Sequence, residues 1–235
     1  MSFRALDAGE ILRTLERLRQ RIEERFPGSG LGRVATDLCG VGRDCASGAA
    51  ALGRPHWPLR IGTAAIGLLA LVAIVWGLVR AARLVDTGQG IGIDDFLSGV
   101  ESVINEFVFL GIGTWFLASI EGRFKRREAL RQLHVLRSIA HVVDMHQLTK
   151  DPDRLLAPTP DTASSPERRM SRADLGRYLD YCSELLSVTG KLAALYVQHL
   201  QDPAVYQSVN EIEDLTSGLS RKIWQKITLL ERVAN

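Results

Sequence analysis

"ESVINEFVFLGIGTWFLASIEGRFKRREALRQLHVLRSIAHVVDMHQLT", residues 101–149, reads as one helix that changes solvent partway along. No proline falls between Phe96 and Thr149, so nothing removes a backbone donor or clashes with a preceding turn over that length. Phe107 to Ile120 carries no charge, whereas Glu101, Asn105 and Glu106 stand before it and Arg123, Lys125, Arg126 and Arg127 after it. At about 1.5 Å per residue the uncharged part alone falls short of a hydrocarbon core of about 30 Å. The predicted span is therefore 100–120, and it has to take in the turn that holds the carboxylates.

A second apolar block lies upstream, "LRIGTAAIGLLALVAIVWGLV" from Leu59 to Val79, with Arg60 at its edge as the only charge. Its length matches a transmembrane helix. Arg33, Arg43, Arg54 and Arg60 precede this block, and Arg131 joins the basic cluster after the second span; the stretch between, 80–99, sets Arg80 and Arg83 against Asp86, Asp94 and Asp95. The excess of basic residues on one side predicts both termini in the cytoplasm, an acidic loop outside, and a multi-pass protein of the inner (cytoplasmic) membrane. Trp57 and Trp76 fall near the two interfaces, as amphipathic aromatics do.

Arg123, Lys125, Arg126 and Arg127 then lie at the level of anionic headgroups, where each contributes about 1 kcal/mol. They read first as topology anchors. Small residues recur in both spans, Thr63, Gly67, Ala73, Gly77 and Ala81 in one, Gly111, Gly113, Thr114 and Ala118 in the other. Such spacing lets backbones approach where lipid gives no hydrophobic drive, between the spans or between copies. The carboxylate turn has two readings: Glu101, Asn105 and Glu106 sit in the outer headgroup region, or they ring the outer mouth of a cation pore built by several copies.

The rest of the chain is predicted to be all helical. In residues 1–58, Leu6, Ile11, Leu12, Leu15, Leu18, Ile22 and Phe26 step by three and four up to "FPGSGLG", and a second helix carries Leu31, Val34, Leu38, Val41, Cys45 and Leu52. Gly28, Gly30 and Gly32 resemble a phosphate cradle only superficially, because they follow a helix and lack the Gly-Lys-Ser/Thr ending. Residues 121–149 extend the second span, with Val135, Ile139, Val142, Val143 and His146 on one face and His134, Arg137, His141 and Asp144 on the other.

Residues 150–170 hold four of the eight prolines, Pro152, Pro158, Pro160 and Pro166, and read as a linker. Residues 171–235 form an antiparallel hairpin. One arm carries Leu175, Tyr178, Cys182, Leu185, Thr189, Leu192, Tyr196 and His199, the other Val205, Val209, Ile212, Thr216, Leu219, Ile223, Lys226, Leu230 and Val233, with "QDPA" between them. Its seams suit coiled-coil-like packing, and Leu185, Leu192, Leu219, Ile223 and Leu230 are the residues expected to hold an assembly together.

Chemistry is sparse. His141 and Asp144, at i and i+3, are the one pair to test as metal ligands; His134 lies two turns away, and the residues read most simply as a polar strip with Arg137. Glu211, Glu213 and Asp214 read as a solvated face. No nucleophile, Walker or zinc-protease pattern occurs, and Cys39, Cys45 and Cys182 form no framework. A net charge of +2 gives no footprint for nucleic acid, although Arg supplies 24 of the 29 basic residues. The charged N-terminus lacks the apolar region of a signal peptide.

The reading is therefore an all-α protein: a two-span transmembrane hairpin with a cytoplasmic helical bundle for self-assembly or a cytoplasmic partner. It predicts contact with membrane lipids, no enzymatic activity, no cofactor and no metal. The alternative is an oligomeric two-span channel or membrane-perturbing effector gated by the cytoplasmic helices.

Overall fold

The computed structural model describes residues 5–54, 57–86, 93–150 and 170–232, and every regular element among them is an α-helix. In chain order these are α1 (Ala8–Arg25), α2 (Gly30–Leu52), α3 (Trp57–Asp86), α4 (Ile93–Leu148), α5 (Arg172–His199) and α6 (Pro203–Arg232). The chain divides into two compact units, one made of Met1–Gly53 with Arg126–Asn235, the other of Arg54–Lys125. Helix α4 contributes to both.

The first unit is built on seven-residue repeats. Ile11, Leu15, Leu18 and Ile22 are buried on α1, and Leu31, Ala35, Leu38, Gly42, Cys45, Ala49 and Leu52 on α2, each alternating steps of three and four. On α6 the buried row is Val205, Val209, Ile212, Thr216, Leu219, Ile223, Ile227 and Leu230, so Ile227 and not Lys226 takes the place between Ile223 and Leu230. Side chains spaced in this way share one stripe of a helix, which a neighbour can cover along its whole length.

Helix α5 is the hub. Besides the predicted row it buries Leu179, Leu186 and Ala193, and also Tyr181, Val188 and Leu195, so three stripes are covered and not one. It packs against α1, α2 and α6. His199, placed on the seam by its spacing, is exposed at the last turn. Close approach is set by glycines: a Cβ on Gly42 would meet Leu12 at 3.1 Å and Leu15 and Leu192 at 3.4 Å, and one on Gly190 would meet the Thr216 hydroxyl at 3.2 Å.

The end of α4 buries Ala129, Leu133, Leu136, Ala140, Val143 and Gln147. This row differs from the face Val135, Ile139, Val142, Val143 and His146; Val142 is exposed. The two rows share Val143, and packing against adjacent helices uses Leu133 and Leu136 together with the small Ala129 and Ala140. Three contacts run in the same sense along α4 and α6, Arg126 to Asp202, Arg137 to Glu211 and Lys226 to Gln147, so the two helices are parallel.

Helix starts follow capping rules. Asp7 accepts from the Gly9 and Glu10 amides, Ser29 from Gly32, Ser171 from Asp174, and Asp202 from Ala204 and Val205 ahead of Pro203. At Ser171 the capping box is altered, since Asp174 accepts the Ser171 hydroxyl at 2.7 Å. Gly28 turns the chain between α1 and α2 with φ +66°, a conformation that costs other residues more.

The second unit contains α3 and α4 up to Lys125 and inverts the placement of apolar residues. Leu69 is 69% exposed and Phe109 76%, and Ile61, Trp76, Ile112 and Trp115 are exposed with them. One described helix, over Phe107–Leu148, contains a stretch long and apolar enough to cross a membrane, none of it buried within the chain. The apolar stretch of α3 among the described residues, Ile61–Gly77, is shorter, so among those residues one helix is long and apolar enough to cross. The helices also reach into the stretch read as a loop over 80–99: α3 runs to Asp86 and α4 begins at Ile93, leaving 87–92 outside the described residues. Most of the linker, 151–169, also lies outside them.

Candidate functional site

The carboxylate turn lies in the interior of a helix. Because α4 starts at Ile93, Glu101 is about two turns and Asn105 about three turns beyond its first residue, both exposed; the side chain of Glu106 lies outside the described residues. The Glu101 carboxylate is therefore too far along to satisfy the free amides of the helix start.

The basic cluster is partly spent on the protein itself. In the second unit Lys125 bonds Glu121 at 2.8 Å and the Arg54 carbonyl at 2.8 Å, and the Arg123 guanidinium stands 5.4 Å from the Phe116 ring centroid. In the first unit Arg126 donates from Nε to Asp202 Oδ2 at 2.7 Å. Arg127 is exposed. Of the four residues read as headgroup anchors, Lys125 and Arg126 are held by carboxylates of the chain, which leaves Arg123 and Arg127 the more available cations.

Asp202 joins two tasks. Oδ1 caps α6 and Oδ2 takes Arg126, so one carboxylate ties the start of α6 to α4. Burial pushes its pKa up, but Arg126 and the two amides outweigh burial, and the net direction is down. The Asp-Pro pair at 202–203 announces a helix start in the sequence; its partner, far away in the chain, has no local signal.

The polar strip of α4 is used piecemeal. Arg137 bonds Glu211 at 3.0 Å, Gln147 donates to Asp144 at 2.6 Å, and His134 and His141 are exposed. Asp144 thus already carries a partner, and among the described residues no three His, Cys, Asp or Glu side chains gather as a metal site would require. Gln147, 2% exposed, receives Lys226 Nζ on its own carbonyl at 3.1 Å and on its side-chain oxygen at 2.8 Å. This polar layer closes the core between α4 and α6, and Lys226 supplies the last turn of α4 with a cation.

Around Gly28, Gly30 and Gly32 the anion is internal. Glu23 accepts the Gly28 amide at 3.1 Å, and its Oε2 would lie 2.7 Å from a Cβ on Gly32. A carboxylate of α1 occupies the start of α2, where a phosphate would have sat.

The residues expected to hold an assembly together, Leu185, Leu192, Leu219, Ile223 and Leu230, are all buried in the chain's own core. They pack α5 and α6 into the unit. Cys39, Cys45 and Cys182 are buried too. Burial pushes the first two thiols up to about 11 and the third to about 12, with Glu16 adding to the effect at Cys39. Such thiols are poor nucleophiles.

Besides a cleft of about 500 Å³ along α1, lined by Thr14, Arg17 and Glu24 among others, two clefts among the described residues are lined by two helices each. One of about 260 Å³ between α1 and α2 is lined by Leu12, Arg13, Leu15, Glu16, Cys39 and Arg43. The other, about 480 Å³, is an apolar groove of the second unit whose walls include Gly67, Ala70, Gly111 and Thr114 beside Phe107 and Trp115. A Cβ on Gly67 or Gly111, both of which line this groove, would meet no described atom within 4 Å. The chain matches no known protein-family model, no curated protein and no solved structure.

Proposed function

We propose that the chain is a non-enzymatic integral membrane protein: α3 and α4 as far as Ile120 form a two-span hairpin, and the helices of the first unit form a cytoplasmic body that binds a copy of itself or a cytoplasmic partner. The observation that carries this reading is the outward display of large apolar side chains along α3 and the first part of α4, Leu69, Trp76, Phe109 and Trp115 among them. Left in water, each such side chain forgoes about 1.5–3 kcal/mol relative to burial. Hydrocarbon removes that penalty, and the helical backbone needs no partner there because its hydrogen bonds are internal.

Orientation follows from the basic residues on the body's side of each span, which supports both termini in the cytoplasm. A scaffold or sensor role for the body is supported by the use of Arg126, Asp202, Gln147 and Lys226 in joining and capping its helices. The test is carbonate extraction of membranes expressing the full chain, followed by protease treatment of inside-out vesicles. The chain is expected in the pellet, with the body cleaved from the cytoplasmic face; recovery of folded chain in the carbonate supernatant would remove the reading.

A further inference from the structure

His146, on the last turn of α4, has its imidazole against the backbone of Gly30, the first residue of α2. A Cβ on Gly30 would stand 2.3 Å from Cε1, 3.0 Å from Nδ1 and 3.3 Å from Nε2, so only glycine leaves room for the ring. The site is crowded with positive charge. Arg33 from α2 and Lys150 beyond the end of α4 both act on the ring, and the amide end of α2 adds its partial charge.

The carboxylates nearby are already engaged. Glu23 of α1 holds the Gly28 amide, and Asp144 of α4 holds Gln147. From α5, Tyr178 lies under Lys150, 5.4 Å from Nζ to the ring centroid, and from α6 Lys226 is fixed on Gln147. The charges that act on the ring, Arg33 and Lys150, are both cations.

The geometry points to a proton-sensitive latch: neutral His146 closes the end of α4 onto the first turn of α2, and imidazolium opens it. Burial first, then Arg33 and Lys150, holds the ring's pKa below its usual 6.5 in the closed form. The open form therefore binds the proton more readily. Closure is strongest above the usual value and is lost as pH falls through it toward the lower value of the closed form. The latch belongs to the first unit and stands whether or not the second enters a membrane.

The test is hydrogen exchange of the full chain in detergent, resolved by peptide and corrected for intrinsic rates, at about pH 7.5 and about pH 5.5. Peptides covering 30–36 and 143–150 are expected to lose protection severalfold on acidification, with the peptides of α5 unchanged. His146→Gln keeps a planar polar side chain without the proton and should abolish the change; Arg33→Gln should reduce it. Equal pH dependence in wild type and His146→Gln, or none in wild type, overturns the latch.

Discussion

Leu69 and Leu192 are the same side chain in two long helices, yet Leu69 is 69% exposed and Leu192 has no exposed surface. Around Leu192 the apolar residues form stripes that adjoining helices cover, and polar residues occupy what remains. Around Leu69 they face outward on several sides of α3, as Phe109, Ile112 and Trp115 do on α4. A helix that turns its apolar side chains outward suits a different solvent from one that gathers them into stripes. Composition averaged over the chain conceals this; the arrangement of side chains in each unit reveals it.

The sharpest way to break the contrast is to place charge where each region tolerates it least. Leu219→Asp with Ile223→Asp should unfold the first unit, because an unpaired buried charge costs several kcal/mol and two exceed the stability of an ordinary domain. Loss of protease resistance in the body is the measurement, and an intact body carrying both changes would show that these residues are not core. Leu192→Ala should cost about 2–5 kcal/mol in denaturant unfolding, whereas Leu69→Ala should leave that transition within about 0.5 kcal/mol. Similar losses at both sites would erase the distinction.

Ile112→Arg tests the other solvent. It should weaken insertion by about 2.5–3.5 kcal/mol and raise the carbonate-soluble fraction without changing the unfolding of the body. The smallest effect belongs to Asp202→Ala, which removes a cap and a partner of Arg126 and should cost about 0.5–2 kcal/mol. Its pH signature has a definite sign. Since the native pKa of Asp202 is lowered, its contribution is complete above the usual carboxylate value of 3.8 and fades as pH falls through the lower native one. The difference between wild type and Asp202→Ala should shrink in that acid window, followed by thermal unfolding.

Helical class was legible because steps of three and four persist through Leu15, Leu18 and Ile22 and again from Val205 to Leu230. The role of α5 was not. Its row through Leu185 and Leu192 describes a helix with one neighbour, and the rows through Leu186 and Val188 look like surplus hydrophobicity until several neighbours are present. On α4 apolar residues stand on two adjoining faces, Leu133 and Leu136 on one and Val135 and Ile139 on the other, and spacing alone does not say which of them a neighbour covers. The contacts of Arg126 with Asp202 and of His146 with Gly30 join residues distant in the chain, and only the fold brings them together. The basic cluster was legible as charge but not as structure, since spacing cannot say which cations meet carboxylates of the same molecule.

Burial of all three native thiols has a practical corollary. With Cys39, Cys45 and Cys182 enclosed and held protonated, the folded chain should stay silent toward maleimides at neutral pH. A single cysteine introduced on any exposed turn would then report its surroundings against a dark background, and any signal from unsubstituted protein would mark the moment the body opens.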